Sequence, residues 1–180
     1  GHLRTALEAA DRAKWISVYA NFYLGQSLSS LGQVEEAEEA FREVIKADPE
    51  HRLIPQSYDA LGQMAMIRGQ SGAGTARTAF TNLKALAEKE KLEPQFLVGA
   101  KRGLASLEAR FGDAAKGRAE LQALLGEASA LVSESNLIRL EIGRVLNREK
   151  KYEEAEAYFA AILEKANVGR RPCGRSCCCR

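Results

Sequence analysis

Three groups of side chains in this 180-residue sequence have the types and spacing that chemistry would need. Glu35, Glu36, Glu38 and Glu39, and later Glu153, Glu154 and Glu156, offer neighbouring carboxylates of the kind used in general acid–base work. Each cluster opens an amphipathic segment, however, and acidic residues at a helix start are favoured by the helix dipole without any catalysis. Gly69, Gly72 and Gly74 in RGQSGAGTARTAF suggest a phosphate cradle, but no strand precedes them and no Gly-Lys-Ser/Thr closes the loop. A lengthened turn between helices accounts for them better. Cys173, Cys177, Cys178 and Cys179 crowd into GRRPCGRSCCCR, where three consecutive thiols cannot easily converge on one tetrahedral ion and no CxxC pair exists. His2 and His51 do not complete a site by any visible spacing. The expectation is a protein with no catalytic residue, no metal site and no cofactor.

The charge balance points the same way. Lys and Arg nearly cancel Asp and Glu, leaving a formal charge of +2, and the charges are interspersed, so no broad basic stripe invites nucleic acid. No apolar run approaches the roughly 20 residues of a membrane-spanning helix, so no direct membrane insertion is expected. Gly1 and His2 read as a remnant of cloning, which leaves cytoplasm and periplasm both open as compartments. The Cys/Arg tail, residues 169–180, shares no periodicity with the rest and is expected to be non-native.

What positions the remaining side chains is a series of helices. From Trp15 onward, apolar residues recur at i, i+3, i+4 and i+7, with a stop residue at each interval. Paired helices are predicted over 16–31 and 34–48, 55–68 and 74–91, 95–110 and 114–128, and 135–149 and 152–167. Gly32 suits the left-handed position that ends a helix, and Pro49 and Pro94 cannot continue one. Gln70, Ser71, Gly72 and Ala73 fill the lengthened turn. Leu3, Leu7 and Ala10 stand 34 residues ahead of Ala37, Phe41 and Val44, so residues 1–14 are expected to be part of a preceding helix, and residues 15–168 the repeat domain. No period-two alternation or Asn-Gly hairpin signal suggests strands.

One spacing recurs through these pairs. Leu24, Gly25, Leu28, Gly32, Ala37, Phe41, Val44 and Pro49 return as Leu61, Gly62, Gly69, Ala76 and Phe80, and as Ile142, Gly143, Lys150, Ala155, Phe159 and Ile162. The run YLGQSLSSLGQVEEAEEAFREVIKADPE resembles a tetratricopeptide repeat, and RLEIGRVLNREKKYEEAEAYFAAIL is nearly as good a match, with Lys150 where Gly is usual. The third repeat departs, with Gly117 and Leu121 replacing the small and aromatic residues of its second helix, and the repeat spacing exceeds the usual 34 residues. The resemblance implies an all-α fold of about four antiparallel helix-turn-helix repeats stacked into a right-handed solenoid. Small residues such as Gly25, Gly62 and Gly143 would let paired helices approach closely, with Phe41, Phe80 and Phe159 filling the space between repeats.

The same resemblance implies a function, the binding of a peptide segment or partner protein in a concave groove lined by the first helix of each pair. Carried over in register, the groove residues are Tyr19, Phe22, Gln26, Ser29 and Ser30, then Gln56, Asp59, Gln63, Met66 and Ile67. Arg102, Ser106 and Arg110 come next, and finally Leu140, Arg144, Asn147 and Arg148. Tyr19, Phe22, Gln26, Gln63, Arg102, Arg144, Asn147 and Arg148 are the binding candidates, aromatic and amide at one end and arginine-rich at the other. A partner with an apolar anchor followed by an acidic segment would suit them. The plainer alternative for the arginines is solvated pairing with Glu141 and Glu149. Phe22 and Gln26 stand where relatives that clamp a chaperone's carboxylate carry Lys and Asn, so that clamp is not expected. Trp15, Tyr19, Phe22 and Tyr23 could instead stack a base or sugar, but aromatics on an amphipathic helix serve more often as core or interface anchors. Other readings are a docking or regulatory domain of a larger enzyme or membrane-associated complex, and a self-assembling scaffold or homodimer through exposed Leu3 and Leu7.

Overall fold

The computed structural model describes residues 2–167, with side chains over residues 13–164; the cysteines and the rest of the tail lie outside the described residues, as do the side chains of Leu3 and Leu7. Eight α-helices and one short 3-10 turn make up the described residues, with no strand among them. They are α1 (His2–Ser30), α2 (Val34–Ala47), α3 (Ile54–Ile67), α4 (Ala73–Lys89), α5 (Pro94–Phe111), α6 (Ala114–Glu127), α7 (Val132–Arg148) and α8 (Tyr152–Asn167). The chain is an all-α helical-repeat solenoid. It divides into two compact units, residues 1–117 and residues 118–180.

The stops fall where the sequence places them. Gly32 takes φ of 75° and the amide of Gln33 reaches back to the Leu28 carbonyl at 2.9 Å, the six-residue bond that closes a helix through a left-handed residue. Lys150 does the same at φ of 61°, with Lys151 bonded to the Leu146 carbonyl at 2.9 Å. Residues Gly69–Gly72 form the 3-10 turn of the lengthened connection. Asp113 caps α6 by accepting bonds from the amides of Ala115 and Lys116 at 2.9 and 3.0 Å.

One expectation fails at the amino end. α1 is a single helix of 29 residues, with no turn between residues 2–14 and the remainder of the helix. The 34-residue offset of Leu3, Leu7 and Ala10 therefore does not mark a preceding helix. The reason is chemical: between His2 and Leu24 there is neither Gly nor Pro to stop the helix.

In the first unit α1 packs on α2, α2 on α3, α3 on α4 and α4 on α5, and α3 also meets α5. One core gathers Val18, Phe22, Phe41, Val44, Ile54 and Leu61, and another Ala65, Ala76, Phe80 and Leu107. The recurrent glycines admit the phenylalanine rings themselves: a Cβ on Gly25 would stand 2.9 Å from the Phe41 ring, and one on Gly62 2.6 Å from that of Phe80. Gly103 makes the same room on the other side of Phe80, also 2.6 Å. Close backbone approach, expected at Gly25 and Gly62, occurs instead at Gly117, where a Cβ would meet the Ala109 nitrogen at 2.3 Å. In the second unit α7 packs on α8, Ile138, Ile142 and Leu146 are buried, and a Cβ on Gly143 would stand 2.5 Å from the Phe159 ring.

Candidate functional site

Alternate helices of the first unit place their free faces side by side. α1 contributes Tyr19, Tyr23, Gln26, Ser29 and Ser30; α3 contributes Gln56, Asp59 and Gln63; α5 contributes Phe96. Two clefts run over these faces. One, of about 960 Å³, lies between Tyr19 and Tyr23, the loop of Pro49, Glu50, His51 and Arg52, and the end of α4. The other, of about 560 Å³, lies over Gln26, Ser29, Ser30, Asp59 and Gln63. Gln56 and Phe96 line both, so the clefts adjoin.

The floor of the smaller cleft is amide, hydroxyl and aromatic. Gln63 donates through Nε2 to Asp59 Oδ2 at 2.6 Å, which fixes its head, while Gln26 is exposed. The larger cleft is more polar at its rim. The Tyr19 hydroxyl accepts from Arg52, whose Nε lies 2.8 Å away and whose guanidinium carbon stands 5.6 Å from the ring centroid. His51 meets the same ring edge-on at 5.2 Å between centroids. Across the cleft, Lys89 pairs with Glu90 at 3.0 Å, and that hydrogen bond, with Glu50 as a further nearby charge, holds the ammonium above its usual lysine value.

The sequence-derived binding residues divide. Tyr19, Phe22, Gln26 and Gln63 are brought together along these clefts. Phe22, expected as a groove-facing ring, is a core residue only 7% exposed, its ring edge-on to Phe41 at 5.9 Å; it closes the floor and does not project from it. Met66 and Ser106 are buried for the same reason, each turned one position away from the free face, and Ile67 is exposed. Arg102 is half-buried on α5 and lines neither cleft, and exposed Arg110 stands over the Phe111 ring at 5.4 Å.

In the second unit Arg144, Asn147 and Arg148 all lie exposed on α7. Arg144 donates to Glu141 at 2.7 Å, as solvated pairing would have it. Glu149 has other partners than Arg148: Arg118 at 3.3 Å and Lys151 at 2.8 Å. The Lys151 contact lowers the Glu149 pKa against the opposing cost of burial, and Arg118 adds to it.

The acidic clusters resolve unevenly. Glu35, Glu36 and Glu39 are exposed, whereas Glu38 is buried and paired twice, with Arg42 at 2.7 Å and Arg68 at 3.0 Å. It ties α2 to Arg68, the residue that follows α3. Among the described residues no three His, Cys, Asp or Glu side chains gather as a metal site requires, and no helix is long and apolar enough to cross a membrane. His51, Arg52, Lys89 and Phe96 are not among the binding candidates of the sequence, and Tyr23 stands there only among the aromatics that could stack or anchor. His51 and Arg52 belong to a loop, which carries no period, and Lys89 and Phe96 sit at helix ends, so only closeness to Pro49 and Pro94 could flag these four.

A sequence model of the tetratricopeptide repeat matches residues 18–51, and a second, also described as tetratricopeptide repeat, matches residues 100–169. Two solved structures from Podosopora anserina, nearly identical TPR-like repeats ascribed to a putative kinesin light chain, superpose with TM-scores of 0.62 and 0.59. The first, a single-residue variant, covers 94% of this chain and 89% of its own; the second covers 95% and 90%; both are 16% identical. At that identity the likeness concerns the fold alone. No curated protein matches the sequence.

Proposed function

The chain belongs to the tetratricopeptide repeat family, whose repeats generally mediate protein–protein interaction, and from that premise we propose that the first unit holds an extended segment of a partner protein along its adjoining clefts. The observation that carries this reading is the shared lining: Gln56 and Phe96 join a cleft flanked by Tyr19 and Tyr23 to one floored by Gln26 and Gln63. The clefts offer amides and rings along which a peptide can lie, which supports a scaffold's role. Selection from a random-peptide phage library tests it. Enriched clones should bind the wild-type chain and weaken about tenfold or more on the exposed-site variants Gln26→Lys and Gln63→Lys, a loss of about 1.4 kcal/mol. Clones that bind both variants as well as wild type would remove the clefts from the function.

For the second unit we propose that an acidic segment would be met by Arg148 and Asn147, which are exposed beside Arg144. Self-association is the second reading, and one contrast favours it. Leu24 is 50% exposed, whereas Leu61 and Ile142, in the same register, are buried. With Ile16 at 53%, it leaves an apolar strip on α1 that a second copy could cover. Sedimentation across concentration decides this, since a strict monomer has no such interface.

A further inference from the structure

Resting on the cleft reading, we propose that the larger cleft of the first unit takes a proline-rich segment in the polyproline II conformation, carrying a basic residue. Trp15, Tyr19 and Tyr23 succeed one another at four-residue intervals on α1, with ring centroids 4.7 and 6.3 Å apart. Trp15 is 54% and Tyr23 59% exposed, so the rings form a ridge at the margin of the cleft. The middle ring is fixed from two sides, by the Arg52 hydrogen bond and cation–π contact and by the edge of His51. A ridge that is already rigid binds best a ligand that is rigid too. Pyrrolidine rings are compact and apolar, and a polyproline II segment loses little conformational entropy on docking to aromatic slots. Leu53, Pro55, Leu86 and Leu92 supply an apolar wall beside the aromatic residues.

Backbone chemistry favours the same ligand. The lining is made of helices and the loops that join them, with no strand among the described residues, so no strand edge is present to pair with the N–H groups of an ordinary extended peptide. Recognition therefore rests mainly on side chains. A proline-rich segment has few N–H groups to satisfy and presents carbonyls, which the Gln56 amide and the Tyr23 hydroxyl can meet as donors. The rim sets the charge: Glu50, Glu90 and Glu93 face two cations, of which Lys89 is already paired with Glu90 and Arg52 is engaged by Tyr19. The balance suits an arginine or lysine on the ligand and repels a carboxylate.

Trp15 is the chain's single tryptophan and stands on the ridge, so it reports binding directly. The chain is titrated with a short proline peptide bearing one arginine, followed by Trp15 fluorescence and by calorimetry. Controls carry alanine for the prolines or glutamate for the arginine. The expected result is saturable binding, weakened about tenfold or more for either control and for Tyr23→Ala, the scale at which one interface anchor is lost. Tyr23 is exposed, so this variant keeps the helical circular dichroism of the wild type. No saturable binding, or equal binding of the alanine control, overturns the proposal. The phage selection separates the two levels: proline-free clones that lose binding on Tyr23→Ala, in the larger cleft, sink the proline preference and leave the cleft reading standing, whereas no cleft-dependent clone at all sinks both.

Discussion

The α1–α2 pair and the α7–α8 pair are two renderings of one device. Each sets a glycine on its first helix against a phenylalanine on its second, Gly25 with Phe41 and Gly143 with Phe159, and each turns through a left-handed residue. They differ in what surrounds the device. Phe41 is buried beneath α1 and its own core, while Phe159 is only half-buried on α8. The turn is made by Gly32 in one and by Lys150 in the other. A recurring residue pattern thus fixes the local contact, whereas its energetic weight depends on what covers it.

Burial gives the sharpest way to break this parallel. Phe80→Ala and Phe41→Ala should each cost about 3–5 kcal/mol, and Phe159→Ala about half that, because less of its ring leaves water on folding. Urea midpoints measure all three, and equal losses would mean the second unit is packed as tightly as the first. Next comes the ion pair that joins Glu38 of α2 to Arg68, the residue after α3. Glu38→Ala should cost about 1–3 kcal/mol, less than a fully buried pair would, because Arg42 and Arg68 are 41% and 29% exposed and regain water. An unchanged midpoint would reduce this buried carboxylate to a bystander.

The turn residues give a smaller effect of opposite sign. Lys150 carries a Cβ in the left-handed region, so Lys150→Gly should stabilise the chain by about 1 kcal/mol, and Gly32→Ala should destabilise it by a similar amount. Thermal melts of the two variants should move in opposite directions. The smallest effect is a pH dependence. The folded-state pKa of Glu149 is lowered, so its ion pairs contribute stability that is fully present above the ordinary carboxylate value near 4.5 and is lost as pH falls through the lower folded value. The stability gap between wild type and Glu149→Gln should therefore close in acid. A gap that widened on acidification would contradict the assignment.

The helices are legible in the sequence because their ends are written in single residues. Gly32, Pro49, Gly69 and Gly112 stop them and Pro94 opens α5, backbone chemistry that tertiary context does not override, while α4 closes through Lys91 at φ of 50°. The amino end misleads because its periodicity has no stop signal to support it. The cleft is legible at Gln26 and Gln63, which sit on the outer face of their helices, and illegible at Phe22 and Met66, where a one-position rotation separates floor from core. Glu38 looks like its exposed neighbours because its second partner, Arg68 just beyond α3, lies 30 residues away in sequence. His51 and Arg52 come from a loop, and their meeting with Tyr19 depends on a contact 33 residues away in sequence for Arg52.

Phe80 belongs to two repeats at once. Its ring fills the space left by Gly62 on α3 and by Gly103 on α5, so neither helix can move off without stripping one face of the same ring. Arrays of repeats are usually only as cooperative as their nearest-neighbour interfaces. Here a single side chain is that interface's rivet, and the amides of α3 and α5 should exchange with solvent hydrogen as one unit in the wild type and at separate rates in Phe80→Leu.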